Sequence, residues 1–156
     1  MRNRVAYSPE SEGAFSAPID QIITSLGRLL SLKYATDIAY RSFADRLRGP
    51  WRDALVEHWQ EHAKDERDAT YDIAMKIMAL GADPMVVSIA VKPANSSIGA
   101  FCDALKEIEY ELISEARKIC EMAGENRSLS LLMEEVILKD GHHLDDLHRT
   151  CSEMAC

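Results

Sequence analysis

Asp140 and His143 lie three residues apart in the stretch Leu132-Met-Glu-Glu-Val-Ile-Leu-Lys-Asp140-Gly-His-His143-Leu-Asp-Asp-Leu147. At helical spacing Leu132, Val136, Ile137, Leu144 and Leu147 form an apolar stripe, and both ionisable residues fall on it. A carboxylate and an imidazole directed together into a core need partners, because an unpaired buried charge is strongly destabilising. The chemistry open to such a pair is metal ligation or a buried ion network.

Three further helical stripes supply candidates for those partners. Ile22, Leu26, Leu30, Lys33, Asp37, Tyr40, Ala44 and Leu47 predict a helix over 19–47, closed by Gly49-Pro50. Pro50 suits the first turn of a second helix over 51–80, with Leu55, Trp59, His62, Glu66, Ala69, Ile73, Ile77 and Leu80 on one face and Gly81-Ala-Asp-Pro84 as its stop. A third helix over 97–123 turns Phe101, Leu105, Ile108, Glu109, Leu112, Ala116 and Ile119 inward. Gly124-Glu-Asn126 then leads into the fourth, over 127–150, capped by Asn126 or Ser128.

The connection between the second and third helices, residues 85–97, contains Val-Val-Ser-Ile-Ala-Val, but no second strand exists for it to pair with. Its reach decides the topology: about 14 residues at roughly 3.3 Å each span about 46 Å, the length of a helix of about 30 residues. The prediction is an all-α fold, a four-helix bundle of two antiparallel hairpins joined by a long crossover, with the second and third helices parallel. Residues 1–17 carry no period and read as an N-terminal arm, 18–150 as the bundle and 151–156 as a C-terminal tail.

Hairpin geometry brings the polar residues of the stripes to one height. Lys33 lies as far before the turn at Gly49-Pro50 as Glu66 lies beyond it, and Glu109 and Asp140 are equidistant from the turn at Gly124-Glu125. Glu66, Glu109, Asp140 and His143 together make the donor set of a first-row divalent metal. The plainer alternative is an ion network in which Lys33 neutralises buried carboxylates and Glu109 faces solvent beside Glu107 and Glu111. Asp37 and His62, one turn away, are expected to pair across the first two helices as a structural contact. Tyr34, Tyr40, Tyr71 and Tyr110 are expected to pack in the core with a hydroxyl contact. Trp51, Trp59 and Met75, Met78 and Met85 leave apolar surface for self-association.

Composition narrows the function classes. An apolar share of 47% with 28% charged residues over 156 positions describes one globular domain, and a net charge of -8 argues against nucleic acid as a partner. No apolar run approaches the roughly 20 residues that cross a bilayer, so no membrane partner and a cytoplasmic location are expected. Cys102, Cys120, Cys151 and Cys156 have no CxxC spacing and are expected as free thiols in a reducing compartment.

Residues 26–84 and 99–150 resemble the ferritin-like superfamily, nearest its Dps-like and bacterioferritin branch. The resemblance is carried by Arg48-Gly-Pro-Trp-Arg-Asp-Ala-Leu55, Glu61-His-Ala-Lys-Asp-Glu66-Arg, Leu80-Gly-Ala-Asp-Pro84 and Leu132 to His143. It implies a di-iron centre with one carboxylate from each of the first and third helices and a carboxylate with a histidine from each of the second and fourth. Carried over, Glu66, Glu109, Asp140 and His143 match that pattern. Lys33 stands where the first helix's carboxylate is expected, and Ala69 where the second helix's histidine is expected.

Both losses fall on one half of the centre. The resemblance therefore implies iron or another divalent metal at a reduced, single-metal site, one per subunit, in a homo-oligomeric, cage-like assembly for iron handling or stress protection. It puts ordinary ferroxidase activity in doubt. The alternative is a metal-free structural or assembly subunit that keeps the bundle and has replaced chemistry with a lysine–carboxylate network.

Overall fold

A computed structural model describes residues 13–154 of the chain. Four helices account for nearly all of them: α1 (Ile19–Arg46), α2 (Arg52–Ala79), α3 (Ile98–Ala123) and α4 (Arg127–Met154). These bounds fall within a residue of the predicted ones except at the last, where α4 takes in residues 151–154 of the expected tail. Most of the expected N-terminal arm, residues 1–12, lies outside the described residues.

The helices start and stop for local reasons. Ser97 Oγ accepts a hydrogen bond from the Ala100 amide at 3.1 Å, and Asn126 Oδ1 accepts one from the Leu129 amide at 3.0 Å, so each fills an orphan donor in a first turn. Gly124, at φ 57°, turns α3 into α4 with residues 14–16 laid directly on it. A Cβ there would lie 2.7 Å from the Ser16 nitrogen and 2.8 Å from the Ala14 carbonyl oxygen, so no other residue fits the turn. The arm segment is held by Ser16 N–H to the Met122 carbonyl at 3.0 Å and Glu125 N–H to the Ala14 carbonyl at 2.9 Å.

Topology follows from which ends meet. The start of α1 lies by the end of α3 through Ser16 and Met122, and the end of α1 lies by the start of α3 through the Arg46 guanidinium over the Phe101 ring. With α1 and α3 antiparallel, and α1 and α2 closed by the Gly49 turn, α2 and α3 run parallel. The crossover, residues 80–97, forms no strand and runs against α1, where the Val87 amide donates to Ser31 Oγ at 2.9 Å while Ile89 and Val91 pack on the core. No described helix is long and apolar enough to cross a membrane.

Two apolar clusters sandwich the mid-height of the bundle. One gathers Ile22, Leu26, Leu30, Ile73, Ile77, Leu112, Ile119 and Met133; the other gathers Tyr40, Phe43, Leu47, Trp59, Phe101, Leu105 and Leu147. Lys33, Glu66, Glu109, Asp140 and His143, all buried, occupy the level between them. Trp59 belongs to this core and is no part of the apolar surface, which includes Trp51, Met75, Met78, Met85, Val86 and Val87.

The expectation of free thiols is corrected at two positions. Cys102 and Cys151 form a disulfide with Cα atoms 6.3 Å apart, because antiparallel α3 and α4 bring the first turn of one beside the last turn of the other. Cys120 is a free thiol, and Cys156 lies outside the described residues. The bridge closes a sequence separation of 49 residues, and the entropy it removes from the unfolded chain corresponds to about 4 kcal/mol. Cys102→Ser is expected to lower the urea midpoint accordingly, with an unchanged midpoint assigning the pair no constraint on unfolding.

Candidate metal centre

Each of α1, α2 and α3 contributes one residue to the buried level and α4 contributes two, Asp140 and His143. Lys33 from α1 places Nζ 2.5 Å from Asp140 Oδ1 and 2.9 Å from Glu66 Oε2. His143 Nδ1 lies 3.1 Å from Glu66 Oε1 and 3.3 Å from Glu109 Oε1, while its Nε2 faces Asp65 Oδ2 at 3.3 Å. Tyr40 donates its hydroxyl hydrogen to Glu109 Oε1 at 2.7 Å. One donor atom from each of Glu66, Glu109, Asp140 and His143 lies within 4.8 Å of the others. Glu109 is thus buried, and the reading that turned it to solvent does not hold.

Burial sets the electrostatics. Desolvation raises Asp140 to about 7, reinforced by Glu66 and opposed by Lys33, and raises Glu109 in the same way against the lowering effect of His143. For Lys33, desolvation works to lower the pKa, but Glu66, Asp140 and Glu109 outweigh it and hold the ammonium above its ordinary value. Burial likewise pulls His143 down while its contacts with Glu109 and Glu66 bring it up to about 10, so the imidazole is protonated when only protons compete for it. Tyr40 is pushed well above the ordinary phenol value by desolvation and then by Glu109.

The fit to a cation is visible in the atoms left over. Glu66 Oε1 and Oε2, Glu109 Oε2, Asp140 Oδ2 and His143 Nδ1 are buried without a hydrogen-bond partner. Glu66 Oε2 meets the Lys33 ammonium at 2.9 Å and Glu66 Oε1 meets His143 Nδ1 at 3.1 Å as ion pairs, which leaves Glu109 Oε2 and Asp140 Oδ2 as the atoms with neither kind of partner, each costing about 1–3 kcal/mol if nothing coordinates it. Asp65 on His143 Nε2 leaves Nδ1 as the atom directed inward, the arrangement in which an outer carboxylate orients a ligating imidazole. These residues could hold a metal ion.

On the other side of Lys33 the ligand set ends. Ala69 lines a cavity of about 60 Å³ together with Lys33, Glu66, Asp140 and Asp65. Two further residues support the centre. Tyr40 is buried with a hydroxyl contact as expected, its partner being Glu109, while Asp65, which the sequence did not single out, meets His143. The expected Asp37–His62 pair does not form: Asp37 is held by Arg41 at 2.9 Å through both oxygens, and His62 approaches Asp146. Tyr34, Tyr71 and Tyr110 are exposed, which corrects their expected place in the core.

A four-helix bundle with a carboxylate–histidine cluster at mid-height and a full-length crossover defines a recognised class of metal-centred bundles. A family model described as a ferritin-like domain matches residues 23–155, and the chain belongs to that family. Among solved structures it is similar to a ferritin-like, diiron-carboxylate protein from Bacillus anthracis, at 25% identity over 85% of this chain and 96% of that one, with a TM-score of 0.82. It shares its fold with a Dps protein from Vibrio cholerae, at 21% identity over 84% and 89% of the two chains, TM-score 0.75. The same holds for a dodecameric thioferritin from Bacteroides fragilis, at 16% identity over 94% and 91%, TM-score 0.81. No curated protein matches the chain.

Proposed function

We propose that each subunit binds one divalent transition-metal cation, iron foremost, through Glu66, Glu109, Asp140 and His143, in a homo-oligomeric iron-handling or stress-protection assembly. The observation that carries this is the set of buried donor atoms without hydrogen-bond partners on those four residues. Charge supports the count. Three ionised carboxylates are matched by one dication and the Lys33 ammonium once His143 has given up its proton, so a single cation leaves the centre neutral. Lys33 stands in for a second cation, and Tyr40 and Asp65 orient Glu109 and His143. The exposed Trp51, Met75, Met78, Met85, Val86 and Val87 offer surface for self-association, and the dodecameric neighbour supports a closed shell.

Binding at this centre has a definite pH signature. A cation displaces the proton that His143 holds with a pKa of about 10, so affinity is expected to rise about tenfold per pH unit between about pH 7 and about pH 9. Below about pH 7 protonation of Asp140 adds a second proton, and the slope steepens. Chelator competition with Co²⁺ measures it, with Glu109→Gln as the variant that weakens this centre. Affinity independent of pH, or unchanged in Glu109→Gln, sinks the proposal; a monomeric mass in light scattering removes the shell.

A second reading has its own observation. Lys33 and protonated His143 already supply two cations against the three carboxylates, and the raised pKa values of Glu109 and Asp140 let one of these keep a proton. A metal-free structural subunit is then neutral at its core, and the same titration returns no cation at this level.

A further inference from the structure

We propose that His58, His62 and Asp146 form a second divalent-cation site, outside the buried centre and open to solvent. His58 and His62 lie four apart on α2 and so share one face, and Asp146 reaches them from α4. Asp146 Oδ2 is 3.4 Å from His58 Nε2 and 3.5 Å from His62 Nε2, and the three donor atoms lie within 4.8 Å of one another.

Those separations discriminate between two explanations. An N–H···O hydrogen bond is ordinarily about 2.7–3.2 Å long, so both contacts are too long for good hydrogen bonds. Ligand atoms held about 2.0–2.1 Å from a tetrahedral ion lie about 3.3 Å from each other, close to the 3.4 Å and 3.5 Å that separate Asp146 Oδ2 from the two imidazole nitrogens. Two imidazoles and one carboxylate with a position left for water suit zinc or ferrous iron. The carboxylate is oriented for this role: Arg149 binds Asp146 Oδ1 and leaves Oδ2 to the histidines.

Side-chain exposure falls from 35% at His58 to 25% at Asp146 and 6% at His62, so an ion reaches the site from solvent without opening the bundle. The His62 ring stacks on His143 at 4.1 Å between centroids and 21° between planes, which sets the outer site one imidazole from the buried centre. The donor set shares no residue with that centre.

The test is titration of the full chain with Co²⁺ alone, followed by the cobalt visible spectrum and by equilibrium dialysis, and repeated with Zn²⁺ alone. His58→Ala and Asp146→Asn are each expected to remove one bound cation per chain, or to weaken it by more than about tenfold, with that ion's share of the cobalt absorption lost. Glu109→Gln, which acts on the buried centre, leaves that absorption in place. If the buried centre takes no metal, the native chain binds one cation and His58→Ala binds none, which upholds this site and refutes the other. Unchanged stoichiometry, affinity and spectrum in both His58→Ala and Asp146→Asn overturn it.

Discussion

Lys33→Ala is expected to destabilise the metal-free protein by about 3–5 kcal/mol, the cost of leaving buried charges without their partner. The ammonium touches two carboxylates, at 2.5 Å and 2.9 Å, and nothing else in the cluster carries a permanent positive charge. Because the folded state holds this proton more tightly than the unfolded chain, its contribution is fully present below the ordinary lysine pKa of about 10.5 and is lost only as pH rises through the folded value. The deficit in the variant has an opposite dependence. Asp140, already raised to about 7, and Glu109 take up protons in acid and no longer need a cation, so the difference from the native chain narrows from about pH 8 to about pH 5. Urea unfolding at the two pH values measures both the size and the trend. A midpoint unmoved at about pH 8 would mean that Lys33 does not stabilise the cluster.

The height of that cluster was legible because it rests on two periodicities and two turns. Stripes on α1, α2 and α3 turned inward as read, and equidistance from Gly49-Pro50 paired Lys33 with Glu66, which meet at 2.9 Å. On α4 the stripe was read slightly rotated: Leu129, Met133, Val136 and Leu147 are buried, while Leu132, Ile137 and Leu144 are only half-covered. Asp140 and His143 lie where the two versions overlap, so the error did not touch them. Chemistry off the stripes was not legible. Asp65 and Asp146 look like solvated acids, and only the packing of α2 beside α4 shows that each faces an imidazole. The disulfide was within reach of the same arithmetic. The position matching Cys102 across the second turn is Leu147, and Cys151 follows it by one helical turn, close enough for a bridge that cysteine spacing alone conceals.

Lys33→Glu combined with Ala69→His is expected to raise the number of cations held at the buried centre from one to two per chain. The substitutions restore a carboxylate on α1 and a histidine three residues after Glu66, beside the cavity that Ala69 lines with Lys33, Glu66 and Asp140. Charge demands the second cation as firmly as geometry allows it. Removing the ammonium and adding a carboxylate leaves four buried anions, which two dications neutralise and one does not. The double variant is therefore expected to be less stable than the native chain without metal and to gain more stability on adding Fe²⁺ under anaerobic conditions, since each bound ion stabilises the folded state by mass action. Ferrous oxidation on admitting oxygen is expected to exceed that of the native chain. Iron analysis after gel filtration separates the cases: a gain of one ion per chain over the native protein upholds the assignment of Lys33 and Ala69 as the two altered ligand positions. No gain, in a variant that remains folded, shows that those positions do not complete a second site.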